Sequence, residues 1–232
     1  MKTREEGLDR LSNFQVNVAH PYYLHYRSLF SDLQKASVHA SGRLLDIGCG
    51  NKPYEKMFVG RISEHIGCDV IQSSNSRVDC ICPATKLPFE DASFDTVLNT
   101  QVIEHVADHQ AMLYEAFRVL KSNGVLILSG PMYWPLHEEP YDFFRFTEHG
   151  LRYLLEQTGF TEIEIKASGG QWALCGQVFI HALAKTKFRR SIVTRIINQI
   201  FGTLEDRWPN PGNPIGYLAV AKKANVIPST NN

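Results

Sequence analysis

Apolar residues along this chain fall into short runs separated by longer amphipathic stretches. The runs lie at 43–47, 65–70, 77–81, 94–99, 124–129, 161–167 and 215–222. The first five are too short for helices and look like buried parallel strands. Helical spacing fills the gaps. It is clearest over 107–121, where Ala111, Leu113, Tyr114, Phe117 and Leu120 form an apolar side and Gly124 reads as the stop signal. Residues 8–40 also read mostly as helix, with Pro21 opening a stretch whose Tyr22, Tyr23, Tyr26, Leu29, Phe30 and Leu33 share a face. Alternating strands and helices predict an α/β, doubly wound, seven-stranded and mostly parallel sheet with helices on both faces.

This pattern divides the chain into an N-terminal helical cap over 1–40, a main domain over 41–225 and a frayed tail over 226–232. Two helical stretches, together 170–206, stand as an insertion between the sixth and seventh strands. The second places Phe188, Ile192, Val193, Ile196, Ile197, Ile200, Phe201 and Leu204 on one face, with Lys187, Arg189, Arg190 and Arg195 elsewhere. A helix packed on the body, a substrate lid, a dimer face and a peripheral membrane contact through 187–204 all fit this pattern.

Charge and composition narrow the classes. Of 232 residues, 44% are apolar, enough for a real core. Lys plus Arg equal Asp plus Glu, so no basic surplus points to nucleic acid. No run is long enough for a transmembrane helix, and "MKTREEGLDR" shows no apolar leader. Five cysteines without a CxxC pair predict reduced, structural thiols in a cytoplasmic protein, with no metal site.

The most specific stretch is "RLLDIGCGNKPYE". Gly48 and Gly50 follow the first strand, at the edge where open α/β sheets bind ligands. A dinucleotide fingerprint would need a third glycine where Pro53 stands, and no Walker lysine pattern is present. Asp69 closes the second strand at roughly the 20-residue offset expected of a carboxylate that grips ribose hydroxyls. An adenosine-type ligand without a pyrophosphate fits both observations.

Four blocks in order, "LLDIGCGNKP", "GCDV", "LPFEDASFDTVLNTQVIEHV" and "EAFRVLKSNGVLILSGP", resemble the class I S-adenosylmethionine-dependent methyltransferases of type 11, over about residues 40–165. The resemblance implies a Rossmann-like fold with an antiparallel last strand, S-adenosylmethionine as cofactor and S-adenosylhomocysteine as product. The family's D-x-G-x-G is met by Asp46, Gly48 and Gly50 around Cys49; the position that is commonly glycine after it is Lys52. By resemblance, the glycines pass under the methionine portion and Asp69, followed by Val70, takes the ribose. Pro83 replaces an acid often found there, which leaves adenine to backbone groups near Ala84 and Thr85. Asn99 and Gln101, after the fourth strand, approach the methionine or the acceptor. Asp95 reads as a strand-start residue.

Methyl transfer to oxygen calls for alignment and, for a weakly acidic hydroxyl, a base. Among nine histidines, His137 and His105 are the candidates. His137 belongs to "GPMYWPLHEEPYDFFRFTEHG", where Tyr133, Trp134, Glu138, Asp142 and Arg145 are candidate acceptor contacts. Asp142 and Arg145 equally suit an internal brace, and Thr147 suits a helix cap; His20, His25 and the N-terminal tyrosines could cover the same pocket. The segment "NTQV" lacks the signature of amino-group methylases, and no Pro-Cys nucleophile is present. A small organic acceptor, methylated on oxygen and of saccharide, lipid-linked or natural-product type, is the expectation, for a monomer or homodimer. An RNA or protein methyltransferase and a non-catalytic cofactor-binding scaffold are the alternatives.

Overall fold

The computed structural model describes residues 16–184, 186 and 191–224. The start of the expected N-terminal cap, the basic positions 187–190 and the expected frayed tail lie outside them. Seven strands form one sheet: β1 Gly42–Ile47, β2 Ile62–Asp69, β3 Cys80–Ile81, β4 Phe94–Thr100, β5 Leu120–Pro131, β6 Phe160–Ser168 and β7 Gly216–Lys223. Their order is β3-β2-β1-β4-β5-β7-β6. β1 pairs in parallel with both β2 and β4, and β7 runs antiparallel between β5 and β6. The expected fold class is therefore the observed one. The order reverses between β1 and β4, and that switch point positions the site.

Period-2 alternation gives each strand two faces, and in the central strands β1, β4 and β5 both are buried. Leu45, Ile47, Val97, Leu126 and Leu128 point to one layer, where they meet Met112, Leu113 and Ala116 of helix α2 (His109–Val119) and Leu151 and Leu155 of helix α3 (Glu148–Thr158). Leu44, Leu98, Val125 and Ile127 point to the other, where helix α1 (Tyr23–Ala36) brings Leu29, Leu33 and Ala36. Thus α1 is one of the layers that cover the sheet. Helices α4 (Gln171–Leu183) and α5 (Ser191–Arg207) pack on its N-terminal end through Leu24, Ala173 and Phe201.

Several sequence expectations shift. Residues 16–22 form turns, and α1 starts only at Tyr23. In α2 the buried side is Met112, Leu113, Ala116 and Val119, and Tyr114 faces solvent. Gly124 is not a helix stop. The helix ends at Val119, and a bulge between the Phe94–Leu120 and Thr96–Val125 pairs takes up the intervening residues, with Asn123 in the left-handed region. Asp95 accepts from the Arg43 N–H at 2.9 Å and from Lys121, so it ties the starts of β1, β4 and β5. The single face expected of α5 is split: Ile197 is buried, whereas Ile192, Ile196 and Ile200 are exposed. Among the described residues no helix is long and apolar enough to cross a membrane.

One buried amide fastens the N-terminal segment. Asn198 of α5 is fully buried, and its Nδ2 donates to the carbonyls of Val18 (2.7 Å) and His20 (2.9 Å). Asn198→Ala removes both bonds: the part-buried Val18 carbonyl loses this donor, while the His20 carbonyl still accepts from the Tyr23 N–H at 3.1 Å. The substitution should lower unfolding free energy by about 1–3 kcal/mol, read as a lower denaturant midpoint at unchanged slope. An unchanged midpoint would show that α5 does not pin this segment.

Candidate cofactor and acceptor site

The carboxyl ends of β1 and β2 are locked together by backbone groups. Gly48 N–H and Cys49 N–H both donate to the Cys68 carbonyl, at 2.8 and 3.1 Å, and Gly50 N–H donates to Asp69 Oδ2 at 3.2 Å. Gly48 has φ of 74°, and a Cβ built on it would lie 2.3 Å from Val102 Cγ2. Conformation and space both require glycine there. Lys52 also takes a positive φ, 51°, and so does the backbone work of the missing glycine. Its buried ammonium is held by Asp79 Oδ2 at 2.5 Å and by the His65 carbonyl at 2.9 Å. Under the loop, Asp46 Oδ2 lies 3.2 Å from His65 Nε2, and both side chains are buried.

A cavity of about 420 Å³ opens at this edge, in the range of small-molecule sites. Gly48, Asp69, Val70, Ala84, Thr85, Gln101, His105 and Glu138 line it, as do Tyr141 and Phe143. Asp46, Cys49, Gly50 and Asn99 do not. Asp46 braces β2, the Cys49 thiol is buried, and Asn99 Nδ2 donates to the Ile47 carbonyl at 3.3 Å. These four shape the loop from behind. Burial raises the Cys49 thiol far above its ordinary range, so it stays protonated. Val102, Val106, Asp108 and the thiols Cys68 and Cys82 also line the cavity and were not singled out from sequence. Their only signal in the sequence is position, within three residues of Asp69, Ala84, Gln101 or His105.

The other side of the cavity comes from the segment after β5. Asp142, with its side chain only 1% exposed, takes a two-point ion pair from Arg145, Nη1 to Oδ1 at 2.6 Å and Nη2 to Oδ2 at 2.8 Å. Arg145 also donates to the Trp134 carbonyl. Asp142 and Arg145 thus brace the loop rather than line the cavity, and Thr147 caps α3 by accepting from Gly150 N–H at 3.0 Å. Burial alone would raise the Asp142 carboxyl, but Arg145 and the His137 N–H hold it down at about 2. Trp134 stacks with His25, Tyr22 and His181, and Tyr133 reaches His181. None of these lines the cavity, and neither does His20. Burial lowers His25 and His181 to about 4, which leaves this cluster uncharged at neutral pH.

Two imidazoles meet at the wall. His105 and His137 have ring centroids 4.5 Å apart. His105 Nδ1 lies 2.7 Å from the Tyr141 carbonyl, and His137 Nδ1 lies 3.2 Å from both the Pro135 carbonyl and Asp142 Oδ2. These partners only accept, so each Nδ1 carries a proton. Burial and the neighbouring His105 lower His137 to about 4. Beside them Glu104 is buried, and burial pushes its carboxyl up to about 8. His105 lines the cavity, while His137 sits one ring behind it.

Comparison with known proteins agrees with this geometry. Residues 45–128 match the methyltransferase domain family. Over these residues the chain is similar to the type 11 methyltransferase domains. The chain is 32% identical over 146 residues to a protein of Mycolicibacterium smegmatis described as a probable S-adenosylmethionine-dependent methyltransferase, covering 56% of each. It is 29% identical over 110 residues to a ubiquinone biosynthesis O-methyltransferase of a Ruegeria species, covering 42% of this chain and 44% of that one. The chain spans about half the length of the relatives it matches. A methyltransferase structure from Archaeoglobus fulgidus superposes with a TM-score of 0.55 at 19% identity, over 86% of this chain and 94% of that one. At that identity the likeness speaks for the fold. Gly48→Ala should destabilise by about 1–2 kcal/mol for the left-handed conformation alone, and more for the contact with Val102. Denaturant unfolding measures this, and a wild-type midpoint would mean that the loop relaxes freely.

Proposed function

We propose that this chain transfers a methyl group from S-adenosylmethionine to a hydroxyl of a small organic acceptor, of saccharide, lipid-linked or natural-product type. The observation that carries it is a cavity with the buried acid Asp69 on one wall and the imidazole of His105 on the other. Asp69 is 8% exposed, opens onto the cavity and has its carboxylate oriented by the N–H groups of Gly50, to Oδ2, and Val70, to Oδ1. A carboxylate oxygen accepts more than one hydrogen bond, so Asp69 suits a ribose diol. Ala84 and Thr85, beyond β3, line the part of the cavity that suits adenine. The cofactor, when bound, supplies a sulfonium-activated methyl group that leaves by in-line displacement.

The chain's part is then alignment, exclusion of water and handling of the acceptor proton. Val102, Val106 and Phe143 give the cavity apolar walls. His105 Nε2, with its Nδ1 proton committed to Tyr141, is the group placed to receive that proton; His137, held by Asp142, supports it. Oxygen as the methylated atom accords with the imidazole wall and with the name of the O-methyltransferase relative.

Two outcomes are expected. Asp69→Ala should weaken S-adenosylhomocysteine binding in calorimetry by tenfold or more, from loss of charged hydrogen bonds each worth about 1.5–3 kcal/mol; unchanged affinity would remove Asp69 from the site. With an acceptor found by screening hydroxylated sugars, lipids and phenols against labelled cofactor, His105→Ala should lower turnover by about 10²–10⁴-fold at nearly constant cofactor affinity. Full turnover in that variant would leave alignment as the sole contribution of this wall.

A further inference from the structure

Glu104, His105 and His137 form a cluster that the methyl-transfer geometry does not fully use. One ligand atom from each lies within 4.8 Å of the others. Two of the three are nearly closed to solvent, with Glu104 1% and His105 5% exposed in their side chains, while His137 is 21% exposed. Glu104 Oε2 is buried and has no hydrogen-bond partner among the described residues. An unpartnered buried oxygen is costly, roughly 1–3 kcal/mol, unless something satisfies it. Glu104 Oε1 lies 3.9 Å from His105 Nε2, so the carboxylate faces that nitrogen of the ring.

The surroundings have the pattern that supports metal-ligating histidines, in which the distal N–H is donated to a carbonyl or carboxylate. His105 donates to the Tyr141 carbonyl, and His137 to Asp142, itself gripped by Arg145. Those bonds occupy Nδ1 in each ring and leave Nε2 as the nitrogen to ligate, with His105 Nε2 3.9 Å from Glu104 Oε1.

We infer that Glu104, His105 and His137 bind one divalent first-row transition-metal ion, of the zinc or manganese class, beside the acceptor cavity. Two imidazoles and one carboxylate suit such an ion and not magnesium or calcium, which prefer oxygen ligands throughout. Ligands about 2.1 Å from a tetrahedral ion lie roughly 3.4 Å apart, so the cluster closes by about an ångström on binding. The 21%-exposed His137, on the segment after β5, is the member with room to move. Three protein ligands leave a coordination position open, and because His105 lines the cavity that position lies on the acceptor side. The acceptor is then an oxygen donor; with the ion bound, His105 Nε2 is a ligand rather than the proton acceptor, and the ion orients and acidifies the hydroxyl, whose proton leaves to solvent. This role rests on the methyltransferase reading of the cavity; metal binding itself does not.

The test uses the whole chain, stripped with a chelator and dialysed, then titrated with Co²⁺ and followed by its visible ligand-field bands, with Zn²⁺ in calorimetry. One ion per chain should bind, with the bands of a site containing nitrogen ligands. His137→Ala and Glu104→Gln should each abolish the bands. Asp142→Asn, which keeps all three ligands, should weaken binding by about 10–100-fold. His39→Ala, at an exposed histidine, should change nothing. S-adenosylhomocysteine binding verifies that each variant is folded, and it separates the two ideas. Normal cofactor binding with no metal signal in the wild type overturns the metal site and leaves the methyltransferase reading standing. Metal binding with no cofactor binding does the reverse. Bands that survive in both His137→Ala and Glu104→Gln would show an adventitious ion only and would overturn the site.

Discussion

The candidate site depends on how the ends of β1 and β2 are clasped. Three consecutive backbone N–H groups, from Gly48 to Gly50, are satisfied by the last two residues of β2, the Cys68 carbonyl and the Asp69 carboxylate. The same contacts bend the chain away from the sheet, satisfy buried donors that would otherwise cost free energy, and hold Asp69 at the cavity. Gly67 carries the requirement one layer down, because a Cβ on it would lie 2.5 Å from Cys49 Sγ. The loop, the acid and the strand end therefore form one unit.

The sheet was legible in the chain because buried parallel strands are continuous apolar runs, and because the switch point follows from their order. The cofactor loop was legible for a different reason: positive φ and close approach leave glycine as a residue type with a physical signature. Lys52 shows where that signature stops. Its left-handed backbone is stabilised by an ammonium that reaches Asp79, a contact 27 residues away that no local pattern announces. The rotated face of α2 and the bulge at 121–124 were hidden similarly, since pairing between β4 and β5 outranks helical spacing and the glycine signal.

The segment after β5 supplies Glu138, Tyr141 and Phe143 to the cavity wall, and the sequence does not show which of its residues face inward. Asp142 and Arg145 look chemically equipped, yet they spend their charges on each other and on the Trp134 carbonyl. Glu104 carries no sequence signal of its own, because its buried, unpartnered oxygen is a product of tertiary packing. The ring tautomers depend on carbonyls from Pro135 and Tyr141, and backbone partners of that kind carry no sequence signal.

The central claim is that one cavity, bounded by the β1–β2 clasp, receives the cofactor. Amide chemical shifts of the labelled protein, followed as S-adenosylhomocysteine is added, test it most directly. The account predicts the largest changes at Gly48, Gly50 and Val70, whose N–H groups sit on or beside Asp69, and none at Gly159, which precedes β6 at the opposite end of its strand. Saturable binding that leaves the Gly48, Gly50 and Val70 signals in place would contradict it.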